Sequence, residues 1–214
     1  DIVYRWGNPQ SYNMGTLADK KFFGQHDAHW IPYNFMSGGN IMVFNNGKGR
    51  GYSSIDIISP IQGPNNNYLL DTSGIFYPDS LDWTYIDTTN HFFFSSYISG
   101  SQRLENGNTL ICDGAYGNFF EIDAYQNIVW RYVNPVLSTS ILSQGDPIPV
   151  TQNGLANLTF RCTRLSLDHP GLNGRNLIPG NPIELYPLTS GCDVLGNVST
   201  PTNDKERIIL NTID

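Results

Sequence analysis

The chain has 214 residues, of which 14% are charged and 13% aromatic, and its formal net charge is −7. This length can bury a core of one or two domains, and the net acidity, with Lys and Arg scattered along the chain, argues against a nucleic-acid partner. No run approaches the ~18 apolar residues that a membrane-spanning helix needs, so no transmembrane segment is predicted.

Turn-forming residues are frequent, with 21 Gly and 13 Pro. No window shows the apolar spacing at i, i+3, i+4 and i+7 that an amphipathic helix requires. Many short strands joined by tight turns are therefore expected, and the predicted fold class is all-β.

The first element, residues 2–9, reads IVYRWGNP and returns at 128–135 as IVWRYVNP. A shorter relative, LDWTYI, occupies residues 81–86. All three alternate large apolar with polar residues, as a half-buried strand does. They predict three copies of one strand, at 2–6, 81–87 and 128–133.

A second element also recurs. Residues 39–44 precede Asn46-Gly47, and the similar residues 107–112 precede Asp113-Gly114. Asn-Gly and Asp-Gly favour hairpin turns because both central positions of a type I′ turn take positive φ. The pattern predicts the remaining strands at 41–46, 53–58, 92–98, 108–113 and 119–123.

Repeats of about 40 to 50 residues with several strands each are typical of β-propeller blades. We expect antiparallel blades over residues 1–156, a last strand and rim-wrapping tail over 157–200, and the start of a C-terminal β sorting domain at 201–214. Because a closed propeller needs roughly four to eight blades, two nearly complete blades predict a fragment, or a propeller that further polypeptide completes.

The three cysteines, Cys112, Cys162 and Cys192, show no C-x-x-C spacing. This argues against a zinc knuckle or a redox motif. Two interpretations stay open: buried free thiols, or a bridge between Cys162 and Cys192, which would require an oxidising compartment.

Six motifs along the chain are considered together: residues 4–9 (YRWGNP), 25–28 (QHDA), 43–47 (VFNNG) with Arg50, 102–110 (QRLENGNTL), 128–135, and Phe160-Arg161. In combination they resemble the bacterial arylsulfotransferase family. The resemblance covers roughly residues 2–179. It implies transfer of a sulfuryl group from a small aryl sulfate to a phenol, through a sulfated histidine and without a nucleotide sulfate donor. No cofactor and no metal ligand are predicted, since no loop has the spaced oxygen ligands of an EF-hand calcium site. The resemblance also implies a location outside the cytoplasm: extracellular, at the cell surface or periplasmic.

The resemblance assigns His26 and Arg50 as catalytic residues, with His26 at the head of an inner strand. It assigns substrate binding to Gln25, Asp27, Gln102, Arg103 and Arg161. Cationic side chains in a dry pocket stabilise the charge on sulfate oxygens, and an imidazole can act as the nucleophile. The alternative for Arg103 is a structural pairing with Glu105 or Glu121 across strands.

The chain departs from the family pattern in its histidines. Family enzymes gather several histidines from different blades, whereas this chain has only His26, His29, His91 and His169. A second function therefore stays open, that of a non-catalytic secreted or cell-surface propeller that binds glycans or proteins. The transferase is favoured because His26 and Arg50 occur together.

Overall fold

A computed structural model describes residues 2–87, 93–152, 154–178 and 183, and the backbone of residues 206–212. This part of the chain contains no α-helix, and its strands pair antiparallel throughout, which confirms the predicted all-β class. Short 3-10 turns occur at Pro9–Tyr12, Leu17–Asp19, Pro64–Asn66, Gly114–Tyr116 and Pro170–Leu172. None of these described helices is long and apolar enough to cross a membrane.

Eight strands form two four-stranded sheets, each a meander in chain order. The first sheet holds β1 to β4: His26–Trp30, Ile41–Asn45, Ser54–Ile58 and Trp83–Tyr85. The second holds β5 to β8: Gly100–Arg103, Thr109–Asp113, Asn118–Ile122 and Ile128–Val133. Four-stranded antiparallel meanders that follow one another are the blades of a β-propeller, as the repeats predict.

A third sheet begins after a short hairpin of β9, Val150–Thr151, and β10, Gly154–Leu155. Its strands are β11, Thr159–Ser166, and β12, Glu206–Thr212, which pair antiparallel. The last strand therefore joins the sheet that begins at Thr159. The division of the chain at residues 157 and 201 stays a prediction.

The blades pack face to face because both faces of each blade are apolar. Met42 and Phe44 of the first blade share one core cluster with Ile111 and Phe120 of the second. On the opposite face of the second blade, Phe119 packs with Cys162 of β11. Burial on both faces explains why β2, β3, β6 and β7 are buried along almost their whole length.

The first strands of the three sheets, β1, β5 and β11, are neighbours, since β5 contacts both β1 and β11. First strands of successive blades lie nearest the propeller axis. Polar side chains from three sheets can therefore meet where β1, β5 and β11 adjoin. His26 is the first residue of β1, as predicted.

Two predicted strands are absent. Residues 2–6 are irregular, and Trp6 instead packs on Phe22 and donates a hydrogen bond to the Pro78 carbonyl at 2.7 Å. No described strand lies beside them, and a strand needs a partner for its backbone groups. Residues 93–98 are also irregular and connect the two blades.

Cys162, one of the two cysteines of the bridge that the sequence left open, is a free, buried thiol. It lies in the apolar cluster that holds Cys112, which is also free and buried. Cys192 and His91 lie outside the described residues.

Candidate functional site

His26 opens β1 and is half-buried. Its Nδ1 lies 2.7 Å from Oδ1 of Asn46 and 3.2 Å from the carbonyl oxygen of Gly24. Among the described residues, nothing hydrogen-bonds to its Nε2. One ring nitrogen is thus held by the protein, and the other makes no hydrogen bond within the described part of the chain.

A β-bulge sets the direction of the next side chain. His26 pairs with Phe44 and His29 with Met42, so two residues of β1 stand opposite one residue of β2. Asp27, the first residue of this bulge, has φ of 55°, a conformation that non-glycine residues rarely adopt. The bulge turns the Asp27 carboxyl toward the second blade.

The Asp27 carboxylate joins three sheets. Its Oδ2 accepts the Ser101 backbone N–H of β5 at 3.0 Å, and its Oδ1 lies 3.0 Å from Nη2 of Arg161 on β11. The side chain of His29 approaches the same oxygen at 3.7 Å. Burial raises the pKa of the Asp27 carboxyl above its ordinary value, although His29, Arg161 and Ser101 act to lower it.

Space for Asp27 exists because Gly100 has no side chain. A Cβ at Gly100 would lie 2.3 Å from Oδ2 of Asp27. The structure therefore brings together two of the predicted substrate-binding residues, Asp27 and Arg161, and Asp27 directly follows His26 in the chain.

Arg50 lies in the β2–β3 connection, four residues after Asn46. Its Nε donates to the Tyr52 carbonyl at 3.1 Å, and its Nη2 donates to Ser54 Oγ at 2.5 Å. The guanidinium lies over the rings of Tyr52 and Phe23, at 4.4 and 5.6 Å from their centroids. These contacts fix its position and leave the Nη1 donors without a partner among the described residues.

His26 and Arg50 are both anchored on the same loop. His26 bonds to Asn46, and Phe23, which accepts the Lys48 backbone N–H at 2.9 Å, lies beneath Arg50. No hydrogen bond joins the His26 and Arg50 side chains in the described part of the chain.

Gln102 has both ends of its amide engaged by the backbone of Arg164. Its Nε2 donates to the Arg164 carbonyl at 2.9 Å, and its Oε1 accepts the Arg164 N–H at 2.8 Å. Gln102 thus fastens β5 to β11. Its role in substrate binding stays a prediction.

Arg103 is buried, at 4% exposed, and its Nη1 donates to the Gly107 carbonyl and to Thr109 Oγ1 at 3.0 and 2.8 Å. Its guanidinium lies 5.2 Å from the Trp83 ring centroid, between the two blades. Glu121 pairs with Arg164 at 2.5 Å. These contacts are structural, and a ligand role for Arg103 also stays a prediction.

Gln25, the remaining predicted substrate residue, is exposed next to His26. A cavity of about 170 Å³ lies elsewhere, against the N-terminal segment, and is lined by residues such as Trp6, Tyr12 and Phe76. The described residues contain no group of three His, Cys, Asp or Glu side chains that could hold a metal ion.

Sequence reasoning missed Asn46 and Ser101. From the sequence, Asn46-Gly47 is interpreted as a turn signal, and a turn of this kind needs only one asparagine. Asn45 and Asn46 are two successive asparagines after an apolar strand, and both are fully buried at 0% exposed. That doubling is the signal that could have indicated a hydrogen-bonding role.

The fold and this cluster define a β-propeller fragment in which the half-buried His26 precedes Asp27, the acid of an ion pair with Arg161. Residues 16–141, more than half of the chain, match the arylsulfotransferase (ASST) family. The chain therefore belongs to the arylsulfotransferase family. The match contains both complete blades, with His26, Asp27 and Arg50, whereas Arg161 lies beyond it. Comparisons with curated proteins and with solved structures found no match.

Proposed function

We propose that the protein transfers a sulfuryl group from an aryl sulfate to a phenolic acceptor, with His26 as the nucleophile. The lone pair of His26 Nε2 forms a bond to sulfur while the bond from sulfur to the aryl oxygen breaks, and a phenolate leaves. The acceptor oxygen then attacks the same sulfur, the N–S bond breaks, and the acceptor's proton is released. The two steps replace one more difficult displacement.

The observation that carries this proposal is the orientation of the His26 ring. Nδ1 faces two oxygen acceptors, Asn46 Oδ1 and Gly24 O, at 2.7 and 3.2 Å. An imidazole held in this way offers Nε2 to a substrate. The half-burial of His26 leaves that nitrogen within reach of a ligand.

Positive charge for the sulfate oxygens comes from Arg50 and Arg161 in this proposal. Arg50 is fixed by two hydrogen bonds and by two aromatic rings and keeps unused donors. Arg161 is held by Asp27 and is 37% exposed in its side chain. Pre-positioned cations need no reorganisation as charge develops on the transferring group. Gln25 and Asp27 complete the proposed substrate contacts.

The test compares turnover of nitrophenyl sulfate with a phenol acceptor in wild type, His26→Ala and His169→Ala. His169 caps a short turn by accepting the Gly171 N–H, far along the chain from this cluster. We expect His26→Ala to abolish transfer with the melting temperature nearly unchanged, and His169→Ala to retain it. Equal activity of wild type and His26→Ala would refute the proposal.

Arg50 offers a graded version of the same experiment. Loss of one charge-stabilising group reduces kcat by roughly 10² to 10³-fold. Arg50→Ala should show such a loss, and Arg50→Lys should recover only part of it, because an ammonium lacks the planar fork. Full activity in Arg50→Ala would remove Arg50 from the proposed site.

A second candidate is a non-catalytic propeller that binds glycans or proteins. The observation in its favour is that Gln102 and Arg103, two predicted substrate residues, have their side chains engaged in the fold. A stable wild-type protein without aryl-sulfate turnover would favour this candidate over the transferase.

We further propose that the protein works outside the cytoplasm, at the cell surface or in the periplasm, as the family membership suggests. We also propose that further polypeptide completes the propeller, because the described residues form two four-stranded blades and two two-stranded sheets, whereas closed propellers have roughly four to eight blades. Fractionation of the source cells and the solution mass of the assembled protein test these two points.

A further inference from the structure

Asn46 is fully buried, and its amide orientation is determined by its partners. Its Nδ2 lies 2.7 Å from the Ser95 carbonyl oxygen and 2.9 Å from the Ile98 carbonyl oxygen. Only an NH₂ group can donate to two carbonyls. The Asn46 oxygen must therefore be the atom that faces His26 Nδ1 at 2.7 Å.

An oxygen acceptor at this distance requires that Nδ1 of His26 carry a proton. The Gly24 carbonyl, at 3.2 Å from the same nitrogen, imposes the same requirement independently. In a neutral imidazole the second nitrogen then holds the lone pair. We propose that Asn46 is a positioning residue that fixes His26 in the Nδ1–H tautomer, so that Nε2 is the nucleophile; this inference rests on the proposed function.

The backbone that holds Asn46 is unusual and belongs to the connection between the two blades. Ile98 has φ of 48° and Ser99 has φ of 83°. A β-branched residue rarely adopts positive φ, and such strain persists only where surrounding structure enforces it. The turn at residues 98 and 99 presents the Ile98 carbonyl to Asn46, which links the ring of His26 to the junction of the blades.

The first test measures the tautomer in the resting wild-type protein by ¹⁵N NMR after histidine labelling. The chain has four histidines, and a His26→Gln variant identifies the His26 signals. We expect a protonated, pyrrole-like Nδ1 and an unprotonated, pyridine-like Nε2 near neutral pH. A protonated Nε2 with an unprotonated Nδ1 would overturn the proposal.

The second test uses neighbouring asparagines as a matched pair. Asn45 is also fully buried and also makes three side-chain hydrogen bonds, to Phe23, Lys21 and Asp56, but none to His26. Asn46→Ala should populate the Nε2–H tautomer, and Asn45→Ala should not. Asn46→Asp keeps an acceptor toward His26 and should keep the Nδ1–H tautomer, although it loses the donors to the Ser95 and Ile98 carbonyls. If the Asn46 variants do not fold, the first test, which needs only the wild-type protein and the His26→Gln variant, keeps the tautomer claim falsifiable.

Activity gives the third measurement. A catalytic histidine in the wrong tautomer loses up to about 10⁴-fold in kcat, so Asn46→Ala should lose about 10²-fold or more, and Asn46→Asp should lose less. An unchanged tautomer in Asn46→Ala would overturn the role of Asn46. The NMR spectra are recorded without substrate. The tautomer of His26 can therefore be determined even if the His26→Ala activity test refutes the proposed function.

Discussion

Replacing Asp113 with asparagine should stabilise the protein at pH 8 and not at pH 4. Asp113 ends β6 and is 4% exposed, and its Oδ1 has no hydrogen-bond partner among the described residues. Burial raises the pKa of Asp113 from 3.8 to about 7, although Ser95 and Arg131 act to lower it. A rise of this size corresponds to a penalty of about 4 kcal/mol on the ionised carboxylate.

The direction of the pH dependence follows from proton binding. Between pH 4 and 7 the folded chain holds a proton on Asp113 that the unfolded chain releases. The free energy of unfolding therefore falls as the pH rises through this range. An asparagine carries no charge at any pH, but its amide donors also need partners, so we expect a net gain of about 1 to 3 kcal/mol at pH 8.

The assay is urea-induced unfolding of wild type and Asp113→Asn at pH 4 and pH 8. Glu105→Gln removes one negative charge from an exposed position and serves as the control; a surface change of this kind alters stability by about 0.5 kcal/mol or less. If Asp113→Asn is equally or less stable than wild type at pH 8, the argument from burial is refuted.

Three further predictions concern contacts between the second blade and β11. Arg164→Ala should destabilise the protein by about 3 kcal/mol in urea unfolding, because it leaves Glu121, 2% exposed, without its ion-pair partner; a loss below about 1 kcal/mol would contradict this. Gln102→Ala should lower the free energy of unfolding by about 1 to 3 kcal/mol, since the backbone of Arg164 loses two hydrogen bonds. Unchanged stability would show that these two hydrogen bonds do not stabilise the fold. Cys112 and Cys162 should react with an alkylating reagent only on unfolding, because hydrogen bonding of the Cys112 thiol to Cys162, together with burial, raises the pKa of Cys112 well above its usual value; rapid labelling of the folded protein would refute that expectation.

The sequence predicted the strands that carry a strong local pattern. The recurring Asn-x-apolar segments before Asn46-Gly47 and Asp113-Gly114 became β2 and β6, and 128–133 became β8. Residues 2–6 share the pattern of β8 but form no strand, because pairing depends on a neighbour that local sequence does not encode. Strand β5 was missed, since Gly100–Arg103 has no apolar alternation.

The candidate site was only partly predictable for a related reason. His26 and Asp27 were found because they lie in one short motif. Their partners, Ser101 and Arg161, come from other blades, and only the fold places them within 3.0 Å of Asp27. Gln102 and Arg103 carry chemistry that suits a sulfate, yet neighbouring strands engage them, which no pattern in the sequence indicates.

The central claim is that His26 itself receives the sulfuryl group. The most direct measurement is intact-protein and peptide mass spectrometry after mixing the protein with nitrophenyl sulfate in the absence of an acceptor, at neutral to alkaline pH. The account predicts a mass gain of one SO₃ group, located on His26, absent from His26→Ala and discharged when a phenol is added. Turnover without any adduct, or an adduct on another residue that persists in His26→Ala, would contradict it.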